Sequence, residues 1–458
     1  MKRWIGCFWL AAVVSCPGMG KCGEKRPVLR VATFRCDVTP PADGRFRGGW
    51  SQPLTKLVDP LWAKGIVLED GSARYVLCAV DWCELCNGTH ALWRKRVAQA
   101  AGADVSRVAV QCVHQHTAPM ADGDAQALLD QHPSPPQCAP RKSLEELAAR
   151  LAAAVRESLA RLEPFDQVGT SQAKVDRVAS NRRVMLADGK IHVRWSGCTD
   201  PVLQRAPEGL IDPMLRTITL ARGQKPLARL HYYATHPQTG RGNGPISADF
   251  VGFARDKLEK AEGVFQIYFT GCSGNVTAGK YNDGSDKAQA ELTERLLAAM
   301  RASASATRYV PADRIGWRTA PLLMPPRTDR GFGSAENLAI VAHAKADPGA
   351  RLVAAWHLAF HQRSNVPIDV SALEIGPVRV LHLPGEPFVE FQLYAQQIDP
   401  RHFVAVAGYG DGGPGYLCTE ASFSQGGYEP TASFVVPKSE AIVKTAIRQA
   451  LMGLHEEE

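Results

Sequence analysis

Residues 108–120 read VAVQCVHQHTAPM. The first six form an apolar run short enough to be a buried strand. Two histidines come next, two positions apart. In an extended chain His114 and His116 point to the same side. Two imidazoles side by side lose stability once either is protonated, unless a metal or an anionic substrate shares their lone pairs. A single histidine at a strand end is ordinarily a satisfied core residue; a tandem pair directs attention to metal or catalytic chemistry, and the rest of the chain must decide.

Working outward, strand-like runs alternate with helical patterns. RYVLCAV (74–80) precedes a helix over about 89–101. An Ala-rich amphipathic helix is expected at about 143–162, with Leu144, Leu147, Leu151, Val155 and Leu159 on one face. LARLHYYA (227–234) leads to a helix expected to start after Ser247, a good N-cap. VFQIYFT (264–270) leads to a helix at about 286–302, and another is expected at about 335–346. VRVLHL (378–383) and HFVAVAG (402–408) read as further strands. No internal repeat stands out. This alternation predicts an α/β fold, with a mixed or largely parallel central sheet flanked by helices and the active site at the strand C-terminal ends.

The residues just beyond each strand support that placement. His114 and His116 come after the first run quoted, His236 after LARLHYYA, and GCSGNVT after VFQIYFT. Glu386 comes after VRVLHL, and YGDGGPGY after HFVAVAG. Ligands of α/β sheets bind beyond the carboxyl ends of the strands. Two or three imidazoles with one carboxylate are a catalytic zinc set. The tandem histidine thus reads as half of a metal site completed by His236 and Glu386.

Composition narrows the class. The chain has 458 residues, 45% hydrophobic and 22% charged, with net charge +7. No Lys/Arg-rich run interleaved with aromatics appears, which argues against a nucleic-acid partner. Lys2 and Arg3 precede an apolar stretch from Trp4 to Val14, the pattern of an export leader over 1–26, too short to span a membrane. Val13-Val14-Ser15-Cys16 resembles a bacterial lipobox, which would place a lipid on Cys16 and attach the chain to a membrane; ordinary cleavage near Gly20 is the alternative. The expected location is periplasmic or extracellular. Intact-mass measurement of the native protein tests this: a retained Met1–Val14 segment refutes export. Of the 12 cysteines, Cys83 and Cys86 form a C-x-x-C without a second such pair, so two buried thiols are expected rather than a zinc ribbon. Asn87-Gly88-Thr89 and Asn275-Val276-Thr277 match glycosylation acceptors incidentally.

The order of motifs resembles the N-terminal catalytic domain of neutral/alkaline, non-lysosomal ceramidases. FRCDVTPP (34–41), DPLWAKGIVLEDG, VHQHTAP, NRR (181–183), ATHP, ISADF (246–250), GCSGNVT, LPGE (383–386) and GYEPTAS (427–433) carry the resemblance across about residues 30–440. It implies that residues 27–458 form a ceramidase-like zinc hydrolase domain cleaving an N-acyl amide in a lipid or small molecule. It further implies Zn2+ held by His114, His236, Glu386 and Tyr416. His116 would donate to the transition state, with Arg182 and Tyr428 facing the substrate carbonyl. The family's G-D-V-S-P-N is here Gly274-Asn275-Val276-Thr277-Ala278-Gly279. Thr277 therefore replaces a serine and is expected to orient an attacking water. Two rival readings stay open: a serine hydrolase using Ser273, and a surface-anchored binding lipoprotein without catalysis.

Overall fold

The computed structural model describes residue 1 and residues 28–49, 52–240 and 245–453. The leader and Cys16 lie outside the described residues. Among these, three principal sheets stand where one central sheet was expected, and each repeats the same motif. In the first unit, Arg30–Asp37, Trp62–Glu69 and Arg74–Val80 form an antiparallel meander. Helix Asn87–Ala101 then crosses to Val108–Cys112, which pairs parallel to Arg74–Val80 at the sheet edge. Helix Arg141–Ser158 comes next and packs against the first strand and the first helix.

The second unit runs Gln167–Lys174, Met214–Arg222 and Lys225–Tyr233, helix Asp249–Glu262, parallel strand Phe265–Thr270 and helix Asp286–Ser305. The third runs Gly316–Leu322, Ile368–Ile375 and Val378–His382, helix Val389–Ile398, parallel strand Phe403–Ala407 and helix Ser439–Met452. The fold is thus mixed α/β. The repeat escapes sequence reading because it preserves strand order and direction, not residue identity.

Local chemistry explains the boundaries. Gly102 and Gly263 close two helices in the left-handed region, where a side chain would be strained. Ser285 caps the helix beginning at Asp286 by accepting from the Ala288 amide. Ser247 accepts from the Asp249 amide, and its helix begins one residue beyond Ala248. Two helices, Ser334–Ala342 and Pro348–Gln362, occupy the region where one was expected. Asp347 and Pro348 start the second of them, a carboxylate cap with proline at the first helical position.

The topology dictates where function can sit. In each unit the first, third and fourth strands run in the same direction, so their C-terminal ends share one rim. The three edge strands meet there through a closed ring of hydrogen bonds. Cys112 N donates to Tyr409 O at 2.7 Å, Gly408 N to Thr270 O at 2.9 Å, and Thr270 Oγ1 to Val113 O at 2.6 Å. Beneath the ring, Leu77, Ile267 and Val380 from the three units belong to one buried apolar core. The long connections between first and second strands, 38–61, 175–213 and 323–367, all leave from this same rim.

Candidate metal centre

Each unit delivers one side chain to the centre of the rim. His114 lies two residues after Val108–Cys112, His236 three after Lys225–Tyr233, and Glu386 four after Val378–His382. Their atoms form a near-equilateral triangle. His114 Nε2 is 3.2 Å from His236 Nε2 and 3.1 Å from Glu386 Oε2, and His236 Nε2 is 3.2 Å from Glu386 Oε2. Ligands about 2.0–2.1 Å from a tetrahedral ion stand about 3.3–3.4 Å apart.

The tautomers decide what the triangle is. His114 Nδ1 lies 3.0 Å from the Cys83 carbonyl, and His236 Nδ1 lies 2.7 Å from the Ser273 carbonyl. A carbonyl only accepts, so both Nδ1 atoms carry the proton and donate. Burial pushes His236 down to about 4, which keeps it neutral. Both Nε2 atoms then present lone pairs to each other and to a carboxylate oxygen that has no hydrogen-bond partner. Three buried acceptors converge with no proton between them, an arrangement that a cation stabilises and that repels itself without one. These residues fit a divalent ion such as zinc.

The backbone is held tightly around the triangle. His114 adopts φ 76°, uncommon for a residue with a side chain. Its amide donates to Trp82 O at 2.8 Å, and Tyr409, itself at φ 61°, stacks on its ring with centroids 4.1 Å apart. Strained residues of this kind persist only where their surroundings over-determine them. Gly274 must be glycine, because a Cβ there would meet the Glu386 carbonyl at 2.4 Å.

The remaining expected residues fall around this centre in different ways. Tyr416 is buried and pairs in register with Glu386 in a two-residue parallel ladder. Arg182 is buried, donates to Glu429 at 2.8 Å, and lies 5.0 Å and 5.3 Å from the ring centroids of Tyr416 and Tyr428. His116 lies with its ring 5.0 Å from that of His114, and neither of its nitrogens has a partner among the described residues. Burial, then the neighbouring His114, pushes His116 well below the usual imidazole range. Gly49 backs onto it so closely that a Cβ would stand 2.5 Å from Nδ1.

Thr277 and Ser273 are placed differently. Thr277 sits behind His236, whose amide donates to the Val276 carbonyl. Its hydroxyl faces Arg194 O and accepts from the Gly279 amide, and it lines neither cavity at the centre. Ser273 Oγ bonds Tyr409 Oη at 2.6 Å and is likewise absent from the cavity walls. Cys83 and Cys86 are free buried thiols, as expected, and so are the other seven described cysteines. Asn87 and Asn275 are buried, so neither is accessible as a glycosylation acceptor.

Two cavities flank the centre, and His116 and Tyr428 border both. The first, about 160 Å³, is lined by Glu84, His114, Glu386, Trp356 and Phe434 among others. The second, about 690 Å³, is lined by Arg182, Trp195, Asp200 and Gln238. Glu84 was not foreseen. Burial, then the adjacent Glu386, pushes its carboxyl well above the usual range. Its position, four residues after a strand end like Glu386, was the available signal. Trp356 and His357 were missed because their helix was not anticipated.

Three strand ends thus define an α/β protein with a buried candidate metal centre of two imidazoles and a carboxylate. The fold is that of neutral ceramidase, and the resemblance read from the sequence holds at this level. The neutral ceramidase of Pseudomonas aeruginosa superposes with a TM-score of 0.69 at 15% identity, over 93% of this chain and 74% of that one. A ceramidase complexed with C2 gives 0.70 at 15% identity, over 92% and 74%. No protein-family model matches the chain. No curated protein matches it.

Proposed function

We propose that the chain is an exported zinc-dependent amidohydrolase that cleaves an N-acyl amide, in ceramide or in another N-acyl lipid or small amide. The observation that carries this reading is the triangle of proton-free acceptors, His114, His236 and Glu386. Tyr416, beside Glu386, is the fourth ligand in this reading. When bound, zinc supplies Lewis acidity, which lowers the pKa of water and polarises a carbonyl oxygen.

The chain's own residues do the rest. The carbonyls of Cys83 and Ser273 fix both imidazoles as Nε2 ligands. His116, at the border of the two cavities, donates to the oxygen on which charge develops. Arg182, its charge anchored by Glu429, and Tyr428 face that oxygen from the other side. Water adds to the carbonyl carbon, the carbon–nitrogen bond breaks, and the amine leaves with a proton from that water. The products are a carboxylic acid and an amine.

Water is preferred over a side-chain nucleophile because both candidate hydroxyls are engaged elsewhere. Thr277 then acts through His236, by supporting the turn that receives the His236 amide, rather than by touching the water as its motif position suggests. Thr277→Ser keeps most activity, Thr277→Val lowers it without abolishing it, and Ser273→Ala changes the rate less than about ten-fold. Acid-quenched enzyme mixed with an activated N-acyl or ester substrate shows no acyl adduct by mass. An adduct on Ser273 or Thr277 that forms and decays at the turnover rate refutes the water route, and one on Ser273 moves the serine-hydrolase reading to first place.

Metal analysis of the purified protein with a panel of N-acyl substrates tests the whole. One zinc per chain with chelator-sensitive amide hydrolysis is expected. Hydrolysis by metal-free protein refutes the zinc role. A zinc-loaded chain inert to the entire panel favours the binding-lipoprotein reading.

A further inference from the structure

The three rim connections carry a second feature besides cavity walls. Among the described residues, twelve large apolar side chains are prominently exposed. Nine of these lie on the connections 38–61, 175–213 and 323–367, including Leu57 and Val58 on the first, Met185 and Trp195 on the second, and Leu323 and Leu338 on the third. Their exposure runs from 44% to 57%. Scattered exposed apolar residues are normal on any protein. Concentration on three separate loops that leave the same end of three sheets is not scatter.

The second connection is built to hold its exposed side chains outward. The second connection has its own small core of Val184, Cys198 and Leu203. Arg194 is fully buried and fastens that connection internally, donating to the carbonyls of Asn181, Leu203, Ala206, Pro207 and Glu208. Lys280 and Asn282 tie it to the body through the carbonyls of Gln204 and Ser196. With its inward apolar residues already packed, Met185 and Trp195 remain outside. Trp195 is also a wall of the larger cavity, and its ring lies 5.1 Å from that of Tyr428. Trp195 therefore joins the second connection to the candidate centre.

We propose that this rim docks on a lipid surface, with the cavities opening into the contact. Two observations favour lipid over a second copy of the chain. Leaving aside the buried Arg182, Arg194, Arg351 and Asp212, the connections carry eleven Lys and Arg against nine Asp and Glu, a small positive excess that suits anionic headgroups and opposes an identical positive rim. A second protein seated on the rim would also close the larger cavity, whereas a lipid surface presents substrate to it. An indole at the edge of an apolar patch is the side chain that sits at a membrane interface.

The substrate-presentation argument rests on the hydrolase reading, whereas the exposed apolar side chains and the charge do not, and only the last arm of the test depends on that reading. The full chain is used with Cys16→Ser throughout, which removes lipidation as a cause of binding. Co-sedimentation is measured with phosphatidylcholine vesicles with and without phosphatidylserine. The parent binds, and more tightly with phosphatidylserine. Val58→Asp/Met185→Asp/Leu338→Asp weakens binding at least about ten-fold, and the triple serine variant serves where the aspartates impair folding. Equal binding by parent and a folded triple variant overturns the proposal. A parent that is dimeric in sedimentation and is made monomeric by the same substitutions, without vesicle binding, also overturns it, in favour of a second copy. Where hydrolysis is present, the triple variant loses rate on vesicle-embedded N-acyl substrate and keeps its rate on a water-soluble one. Equal loss on both substrates refutes docking as the cause. Absence of hydrolysis by parent and variant alike leaves the vesicle arm to decide docking and counts against the hydrolase reading alone.

Discussion

His236→Ala and Glu386→Ala each lose the metal and the activity together. The expected loss is at least about a thousand-fold in kcat/KM, since removing even an outer-shell partner of a metal site costs about 10–100-fold. The reason lies in the triangle's geometry. Each edge is 3.1 or 3.2 Å, and no protein proton lies along any of them. Removing one vertex leaves Tyr416 and the other two ligands, and it opens a gap in the buried triangle that positions the ion. Zinc content by elemental analysis and amide hydrolysis are read on the same preparations. Stoichiometric zinc in both variants would rule these residues out as ligands.

The largest stability effect is expected far from the metal atoms, at Arg255→Ala. Arg255, on helix Asp249–Glu262 of the second unit, forms a two-pronged pair with Asp81 at 2.7 and 3.0 Å. Asp81 lies just past the third strand of the first unit, and both side chains are buried. Asp81 also accepts from Trp62 N at 3.0 Å and from Gln115 Nε2 at 3.2 Å, and Gln115 lies between the two tandem histidines. Deleting the arginine strands a buried carboxylate, which costs about 3–5 kcal/mol. Chemical denaturation measures it. Asp81→Leu/Arg255→Leu loses less than the sum of the single variants, because the partner charge goes too. A loss below about 1 kcal/mol for Arg255→Ala would show the pair to be dispensable.

Much of the site was legible because function gathers at strand ends. His114, His236 and Glu386 each stand two to four residues beyond an apolar run, and such runs are the feature that hydrophobic patterning reveals. Tyr416 and Arg182 carry no such mark; only the order of motifs singled them out. Thr277 illustrates a different gap. Its position in a motif was readable, but a hydroxyl's direction depends on the turn, and this turn points it to Arg194 O. The threefold plan was hidden for a related reason. Many different apolar sequences satisfy the same strand, so units can share topology without shared residues. The rim side chains were invisible because exposure is a property of the surrounding chain, not of Met185 or Leu338 alone.

Because each unit joined by the ring of edge strands owns a single vertex of the triangle, no two units can complete it between them. Occupancy then behaves as a completeness test. A chain whose third unit has not folded offers two imidazoles and gains nothing from zinc, whereas the finished chain gains by mass action. Zinc in this arrangement would discriminate full assembly from every partial one, and chelation would lower the stability of all three units at once.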